Sequence, residues 1–442
     1  MTTTTTVDAR LYFPRPEDLA SEEVRGLSSI ARGLVGSEIL KIAAEIRDLK
    51  GSGRTVCNLT VGDFSPSEFR IPPELERGIN DALASGATNY PPADGLPELR
   101  NEVVRLYERE LGLAYPIESV LIAGGARPII FAAYMTLVQP GEKVLYPTPS
   151  WNNNHYTFLT GGVPVEIPTS AETNFLPTAE MIAPLIDGVR LICINTPLNP
   201  TGTVLARGEI EKIAQLVVDE NRRRAERGDR SLFILWDHIY WMLTFGDVRH
   251  YTPPEVVPEA AAWTVIVDGI SKAFAATGLR VGWCAAPPWI AFRMRDILGH
   301  VGAWAPKPEQ VATARLLADS EAVDRARRRM TKEAKRRLDL LHDGFQAMKR
   351  EGLPVDSIPP QGAIYLSARF DLFGRLAGET PIESNDQIRE LLLDEAGFAV
   401  VPFQAFGLQR EDGWMRLSVG AASPEEIVAG LGRVRQVLNR LR

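Results

Sequence analysis

Ser271-Lys272-Ala273-Phe274-Ala275-Ala276-Thr277-Gly278-Leu279-Arg280-Val281-Gly282-Trp283 follows an apolar run at 264–268 whose β-branched residues read as a buried strand. A lysine just beyond such a strand is costly to keep charged, because desolvation disfavours the ammonium form and lowers its pKa. An amine tuned in this way forms imines with carbonyl groups and acts as a base near neutrality. Arg280 lies between Gly278 and Gly282, and glycine lets backbone come close to a ligand. A lone lysine at a strand end would simply extend to solvent. The arginine and glycines beside Lys272 favour a ligand site instead.

The run before Lys272 belongs to a series. Short apolar runs recur at 120–123, 143–146, 163–167, 190–195, 232–236, 264–268 and 281–285. Several are separated by stretches long enough for a helix, and Ile210, Ile213, Leu216 and Val217 mark one helix face between the fourth and fifth. Near-continuous apolar strands alternating with amphipathic helices indicate an α/β domain whose seven-stranded, mostly parallel sheet is covered by helices. Past residue 305 the spacing changes. Val323, Met330, Ala334, Leu338, Leu341, Phe345 and Met348 describe one long helix, with Arg325, Arg327, Arg328, Arg329, Lys332, Lys335, Arg336 and Arg337 on a polar face expected to be solvated. Ser423-Pro424-Glu425-Glu426 is a capping box that opens a terminal helix. Ser37 is a plausible cap for a helix with Ile39, Ile42, Ile46 and Leu49 inward and Gly51 at its end. The expected organisation is an N-terminal arm and small-domain segment (1–68), a large domain (69–320) and a smaller α+β domain (321–442).

A chain of 442 residues allows two or three domains of roughly 100 to 200 residues. Lysine and arginine total 49 against 56 acidic residues, so the net charge of −7 argues against a general nucleic-acid polycation. Cys57, Cys193 and Cys284 are too few for a disulfide framework, and five histidines without CxxC or HxxxH spacing give no metal site. The first twenty residues are too charged for a signal peptide. The longest apolar runs, about eight to ten residues, fall short of a membrane span of ~18. A reducing cytoplasm is the expected setting.

Two further motifs follow strands. Asn195-Thr196-Pro197-Leu198-Asn199-Pro200-Thr201-Gly202 comes after the fourth run, and Trp236-Asp237-His238-Ile239-Tyr240 closes the fifth. The first alone is a Pro/Gly turn. In the second, a carboxylate ending an apolar strand needs a partner, either a cation on a ligand or the next helix. Both motifs, like Lys272, sit at carboxyl ends of parallel strands, where open α/β sheets bind ligands.

Taken together, N-P-T-G at 199–202, D-x-x-Y at 237–240 and S-K-x5-G-x-R at 271–280 resemble the class I/II pyridoxal-phosphate-dependent aminotransferases, with their aspartate-aminotransferase-like fold. The resemblance runs from about residue 36 onward and makes residues 69–320 the cofactor-binding domain. It implies that Lys272 holds pyridoxal 5′-phosphate as a Schiff base and moves the substrate Cα proton. Asp237 would keep the pyridine nitrogen protonated, and Tyr240 and Asn199 would hydrogen-bond the ring hydroxylate. Trp151 would stack on the ring. Phosphate would be held by Gly125, Ala126 and Arg127 at a helix N-terminus, by Ser271 and Arg280, and by Tyr90 reaching from the other subunit of a homodimer. Arg416 would grip the substrate α-carboxylate, beside Asn199, Trp151 and Gly62 of a closing loop. Arg127 is also the candidate for the distal carboxylate of aspartate or glutamate, and Trp304 and Lys307 are candidate contacts from the partner. The partners implied are an amino acid and a 2-oxo acid, with neither nucleic acid nor membrane. Three departures stand out: Gly269 where the family often has a phosphate-binding serine, His238 for an acidic residue, and Pro128 early in the phosphate helix.

The same early steps serve a pyridoxal-phosphate lyase, a cyclising synthase or a decarboxylase, which the sequence separates poorly from a transferase. A non-catalytic effector-sensing domain of a transcription regulator is a different reading. It would need a DNA-binding module that the segment before residue 36 is too short to supply.

Overall fold

The seven apolar runs become the strands of one sheet. The computed structural model of the chain describes residues 8, 10, 26–36 and 38–441. Ser37 and the threonine tract at 2–6 lie outside the described residues. The strands are β1 (Val120–Ala123), β2 (Lys143–Thr148), β3 (Val163–Pro168), β4 (Val189–Asn195), β5 (Phe233–Asp237), β6 (Thr264–Gly269) and β7 (Gly282–Ala285). Their order is β1-β7-β6-β5-β4-β2-β3. Pairing is parallel from β6 to β3, while β7 runs antiparallel to both of its neighbours. Every residue of β1, β6 and β7 is buried, as expected for a sheet covered on both faces. The edge strand β3 is mostly exposed and carries Pro164 and Glu166, residues that discourage pairing with another sheet. Strands β5 and β6 run one residue past their apolar stretches. Asp237 pairs with both Asn195 and Val267, because the ladder needs only backbone groups. The backbone of Asp237 is therefore held by the sheet itself.

A second core gathers the remaining elements. Among the described residues, β8 (Val355–Ser357), β9 (Tyr365–Phe370), β10 (Val401–Pro402) and β11 (Trp414–Ser418) form an antiparallel sheet in the order β10-β11-β9-β8. The helix Ser320–Arg350 packs Met330, Leu338, Leu341 and Phe345 into this core, and Pro424–Arg440 adds Ile427, Val434 and Leu438. The Ser423 capping box is formed, with Ser423 Oγ accepting from Glu426 N at 3.1 Å and the Glu426 carboxylate accepting from Ser423 N at 2.9 Å. A two-residue strand, Cys57–Asn58, pairs in parallel with Phe398–Ala399 and brings Cys57 and Leu59 into the same core. The helix Glu38–Gly51 buries Ile42 and Ile46. Before it, Met1–Gly36 is a separate unit whose described part contains the short helix Ser29–Gly33, capped by Ser28.

One expectation is corrected. Arg337 does not share the solvated face of the long helix; it is 2% exposed. Its Nε donates to Ala422 O at 3.0 Å, and its two Nη atoms pair with Glu333 at 2.8 Å and Glu68 at 2.6 Å. Its guanidinium also lies 4.7 Å from the centre of the Phe69 ring. Glu333 is one turn away on the same helix, but Glu68, Ala422 and Phe69 come from distant segments, so helical spacing gave no sign of the burial. Arg325, Arg328, Arg329, Lys332 and Arg336 are exposed as expected. Cys57, Cys193 and Cys284 are buried, and no helix among the described residues is long and apolar enough to cross a membrane.

Candidate active site

After Gly269 the chain turns into the short helix Ile270–Ala273, which carries Ser271 and Lys272. Position 269 is glycine for lack of room: a Cβ there would fall 2.7 Å from Val281 O and 2.8 Å from Gly282 Cα. That close packing accounts for the missing serine. Lys272 Nζ donates to Gly62 O at 2.6 Å and lies 5.8 Å and 5.9 Å from the Tyr240 and Phe64 ring centres. Burial lowers its pKa to about 8; the Asp63 charge opposes the shift, while Arg127, Arg416 and Arg280 add to it.

Asp237 ends β5 with Oδ1 accepting from Ile239 N at 3.2 Å. Burial raises its pKa to about 6, against the pull of that N–H and of the Lys272 charge. Next to it His238 points into the core, within 3.0 Å of Tyr107 Oη and 3.2 Å of His250 Nε2. Burial, with His250 adding, keeps His238 well below the usual imidazole range, so it is neutral. The acidic residue usual at this position is thus replaced by a neutral one that serves the core.

The 199–202 loop is clipped to this strand end. Asn195 Nδ2 donates to Asp237 O at 2.8 Å, and Asn195 Oδ1 accepts from Asn199 N at 2.7 Å. Asn199 Oδ1 accepts from Arg416 Nη1 at 3.3 Å, and Arg416 Nη2 donates to Thr60 O. Arg416 is 1% exposed, lies 5.0 Å and 4.8 Å from the Tyr365 and Phe406 ring centres, and has a buried Nε without a hydrogen-bond partner. Tyr240 Oη lies 2.5 Å from Tyr365 Oη. Gly62 presses on the same hydroxyl, since a Cβ there would fall 2.6 Å from it.

On the other side, Gly125 caps the helix Ala126–Leu137 with φ +100° and ψ 175°. Pro128 sits in the first turn of that helix, where a missing N–H is tolerated. Arg280 faces Gly125, with Nη1 donating to Thr277 O at 2.6 Å and Nη2 to Gly124 O at 3.1 Å. The Arg127 guanidinium lies 4.5 Å from the centre of the Trp151 ring. Tyr90 is outside this buried group: it is 80% exposed, its ring centroid 5.1 Å from that of Trp304, and Lys307 Nζ donates to the adjacent Asn89 at 2.6 Å.

The site therefore combines a half-buried amine, a half-buried carboxylate, a phenol pair, a backbone-and-arginine cradle suited to an anion, and an arginine with an unspent donor. The sequence-derived description of the Aminotransferase class I and II family matches residues 54–434, most of the chain. The chain belongs to this family. It is an aminotransferase. It is 32% identical to the aspartate/prephenate aminotransferase of Thermus thermophilus over 94% of its own length and 100% of that protein's. It is 30% identical to the aspartate aminotransferase of Rhizobium meliloti, over 92% and 94% of the two lengths. The crystal structure of an aspartate aminotransferase from Rhizobium meliloti superposes with a TM-score of 0.86 at 28% identity, covering 94% of this chain and 99% of that one. The Thermus thermophilus aspartate aminotransferase with maleate gives 0.82 at 29% identity, covering 94% and 100%.

Several residues around this candidate site carry no sequence signal of their own. Thr60, Asp63, Phe64, Tyr365 and Phe406 lie in apolar or loop stretches without a distinctive spacing. They reach Lys272, Tyr240 or Arg416 only through tertiary packing.

Proposed function

We propose that this aminotransferase moves an amino group between an acidic L-amino acid, aspartate or glutamate, and a 2-oxo acid, using pyridoxal 5′-phosphate bound at Lys272. The observation that carries the reading is the Lys272 amine with the charges of Arg127, Arg416 and Arg280 acting on it: Arg280 is tied to Thr277 O and Gly124 O beside the helix N-terminus, which leaves Arg416 and Arg127 for substrate. Two guanidinium groups suit the two carboxylates of such a substrate. The relatives named as aspartate aminotransferases support that choice.

The residues fit the cofactor. Lys272 supplies a half-buried primary amine whose pKa desolvation brings down to about 8. Gly125, the N–H groups that open the Ala126–Leu137 helix, and Arg280 form an anion cradle with no space for a Cβ at 125, and Ser271 lies beside Lys272. Asp237 is a half-buried carboxylate that, among the described residues, accepts only from its own turn, a group suited to a cationic ring nitrogen. Trp151 offers a ring face. When bound, the cofactor supplies an electron sink for the carbanion formed at the substrate Cα.

This chain's own groups do the remaining work. Arg416 binds the α-carboxylate in a planar fork, and its unpartnered Nε is a donor ready for that load. Arg127 takes the distal carboxylate. Lys272 Nζ is neutral in a useful fraction of molecules near pH 7, so it accepts the Cα proton and returns it nearby. Tyr240 and Asn199 direct donors to the cofactor's ring oxygen. Gly62 and its loop, with Arg416 on β11, close over the substrate, so residues 37–68 and 321–442 act as the moving part and 69–320 as the cofactor-binding part. Tyr90, exposed beside Trp304 and Lys307, reaches the phosphate of a partner in a homodimer. The buried cysteines suit a reducing cytoplasm.

The test is amino transfer from L-aspartate to 2-oxoglutarate by the holoenzyme. The expected result is one glutamate per oxaloacetate with no ammonia or carbon dioxide, and a loss on Arg127→Ala confined to dicarboxylic donors. Turnover of neutral donors alone, or an Arg127→Ala enzyme with undiminished kcat/KM for aspartate and glutamate, would contradict the acidic-substrate reading.

A further inference from the structure

Tyr365 meets two parts of the site at once. Across β9 and β11, Ser367 stands opposite Arg416, and Tyr365 is two residues from Ser367 on the same face. The phenol ring is thus a diagonal neighbour of Arg416, which accounts for the guanidinium 5.0 Å from its centre. At its other end Tyr365 Oη is 2.5 Å from Tyr240 Oη, with the two rings edge to face at 5.5 Å, and Gly62 confines the hydroxyl on one side. Each phenol has one proton to give, so in a pair only one is the donor. If Tyr240 gave its proton to Tyr365, it would have none for a ligand. The charged groups acting on the pair are Arg416, Asp237 and Asp63, and Lys272 Nζ lies 5.8 Å from the Tyr240 ring centre.

We propose that Tyr365 is a positioning residue for the transfer: its hydroxyl donates to the Tyr240 phenol oxygen, which frees the Tyr240 proton for the cofactor's ring oxygen, and its ring backs Arg416 where the substrate carboxylate binds. The inference rests on the assignment of Lys272 and Tyr240 made above. A phenol that accepts a hydrogen bond is a better donor, so loss of the Tyr365 hydroxyl weakens the support of negative charge on the ring oxygen.

The experiment is a pH titration of the bound cofactor's visible absorbance, with steady-state kinetics, for wild type, Tyr365→Phe and Tyr365→Leu. Tyr365→Phe keeps the ring and removes only the hydroxyl. It is expected to raise the spectral midpoint by about half to one pH unit while changing the amino-acid KM less than about twofold. Tyr365→Leu is expected to show the same midpoint shift and a KM raised about tenfold. A Tyr365→Phe midpoint within about 0.1 unit of wild type overturns the proposal while leaving the Lys272 reading intact. A KM for Tyr365→Leu equal to that of Tyr365→Phe overturns the support of Arg416. Absence of any cofactor band in the wild type overturns both this inference and the reading beneath it.

Discussion

Replacing Gly125 with alanine tests the anion cradle through sterics alone. Gly125 has φ +100° and ψ 175°, a conformation that only glycine adopts readily, so any side chain there costs about 1–3 kcal/mol of backbone strain. The new Cβ would also sit inside the contact distance of Arg280 Nη2 and 2.9 Å from its Cζ. The end of the Arg280 side chain can move away only by giving up its hydrogen bonds to Thr277 O and Gly124 O. The guanidinium must leave the mouth of the helix, and a charge-assisted hydrogen bond to phosphate is worth about 1.5–3 kcal/mol. The Kd for pyridoxal phosphate should therefore rise by about 10- to 100-fold. Absorbance titration of cofactor-free protein measures it, with Gly278→Ala as the control, since a Cβ at 278 meets nothing within 4 Å. A Gly125→Ala protein that binds cofactor as tightly as the control refutes the placement of the cradle.

Arg416→Lys should raise the KM for amino acids by about 10- to 100-fold, because a single ammonium cannot make the paired contact; an unchanged KM would remove Arg416 from the substrate site. The Asp237 carboxyl, raised by burial from 3.8 to about 6, binds more protons folded than unfolded, so its contribution to stability is present at low pH and is lost as pH rises from about 4 through 6. Urea unfolding of cofactor-free protein should show about 1 kcal/mol of this loss between pH 5 and 7 in wild type, and Asp237→Asn should lack it. Arg337→Met should cost about 2–4 kcal/mol in unfolding, because it strands Glu68 and the Ala422 carbonyl, with no change in substrate KM.

The parts legible in the sequence are those whose chemistry is local. Strands buried on both faces show as apolar runs whatever they pack against, and glycines and prolines mark the turns at their carboxyl ends, so Asn199, Asp237, Lys272 and Arg280 stand out in order. Asp237 reads as the end of its strand, but its ladder partners Asn195 and Val267 were not legible, because backbone ladders take any side chain. Arg337 reads as one more solvated charge on a basic helix; its burial depends on Glu68 and Ala422, far away in the chain. Tyr365 looks like an ordinary aromatic in a stretch without a distinctive spacing, and only the register of β9 against β11 brings it to Arg416. Gly269 was visible as a departure, but its cause, the approach of Val281 and Gly282, is a tertiary contact.

The central claim is that the cofactor is joined to one nitrogen, Lys272 Nζ. Reducing the holoenzyme with borohydride makes any imine permanent, and peptide mass spectrometry then locates it. The expected product is a single pyridoxyl-phosphate adduct on the peptide containing Lys272, absent from Lys272→Arg. An adduct on another lysine, or one that persists in Lys272→Arg, would contradict the account.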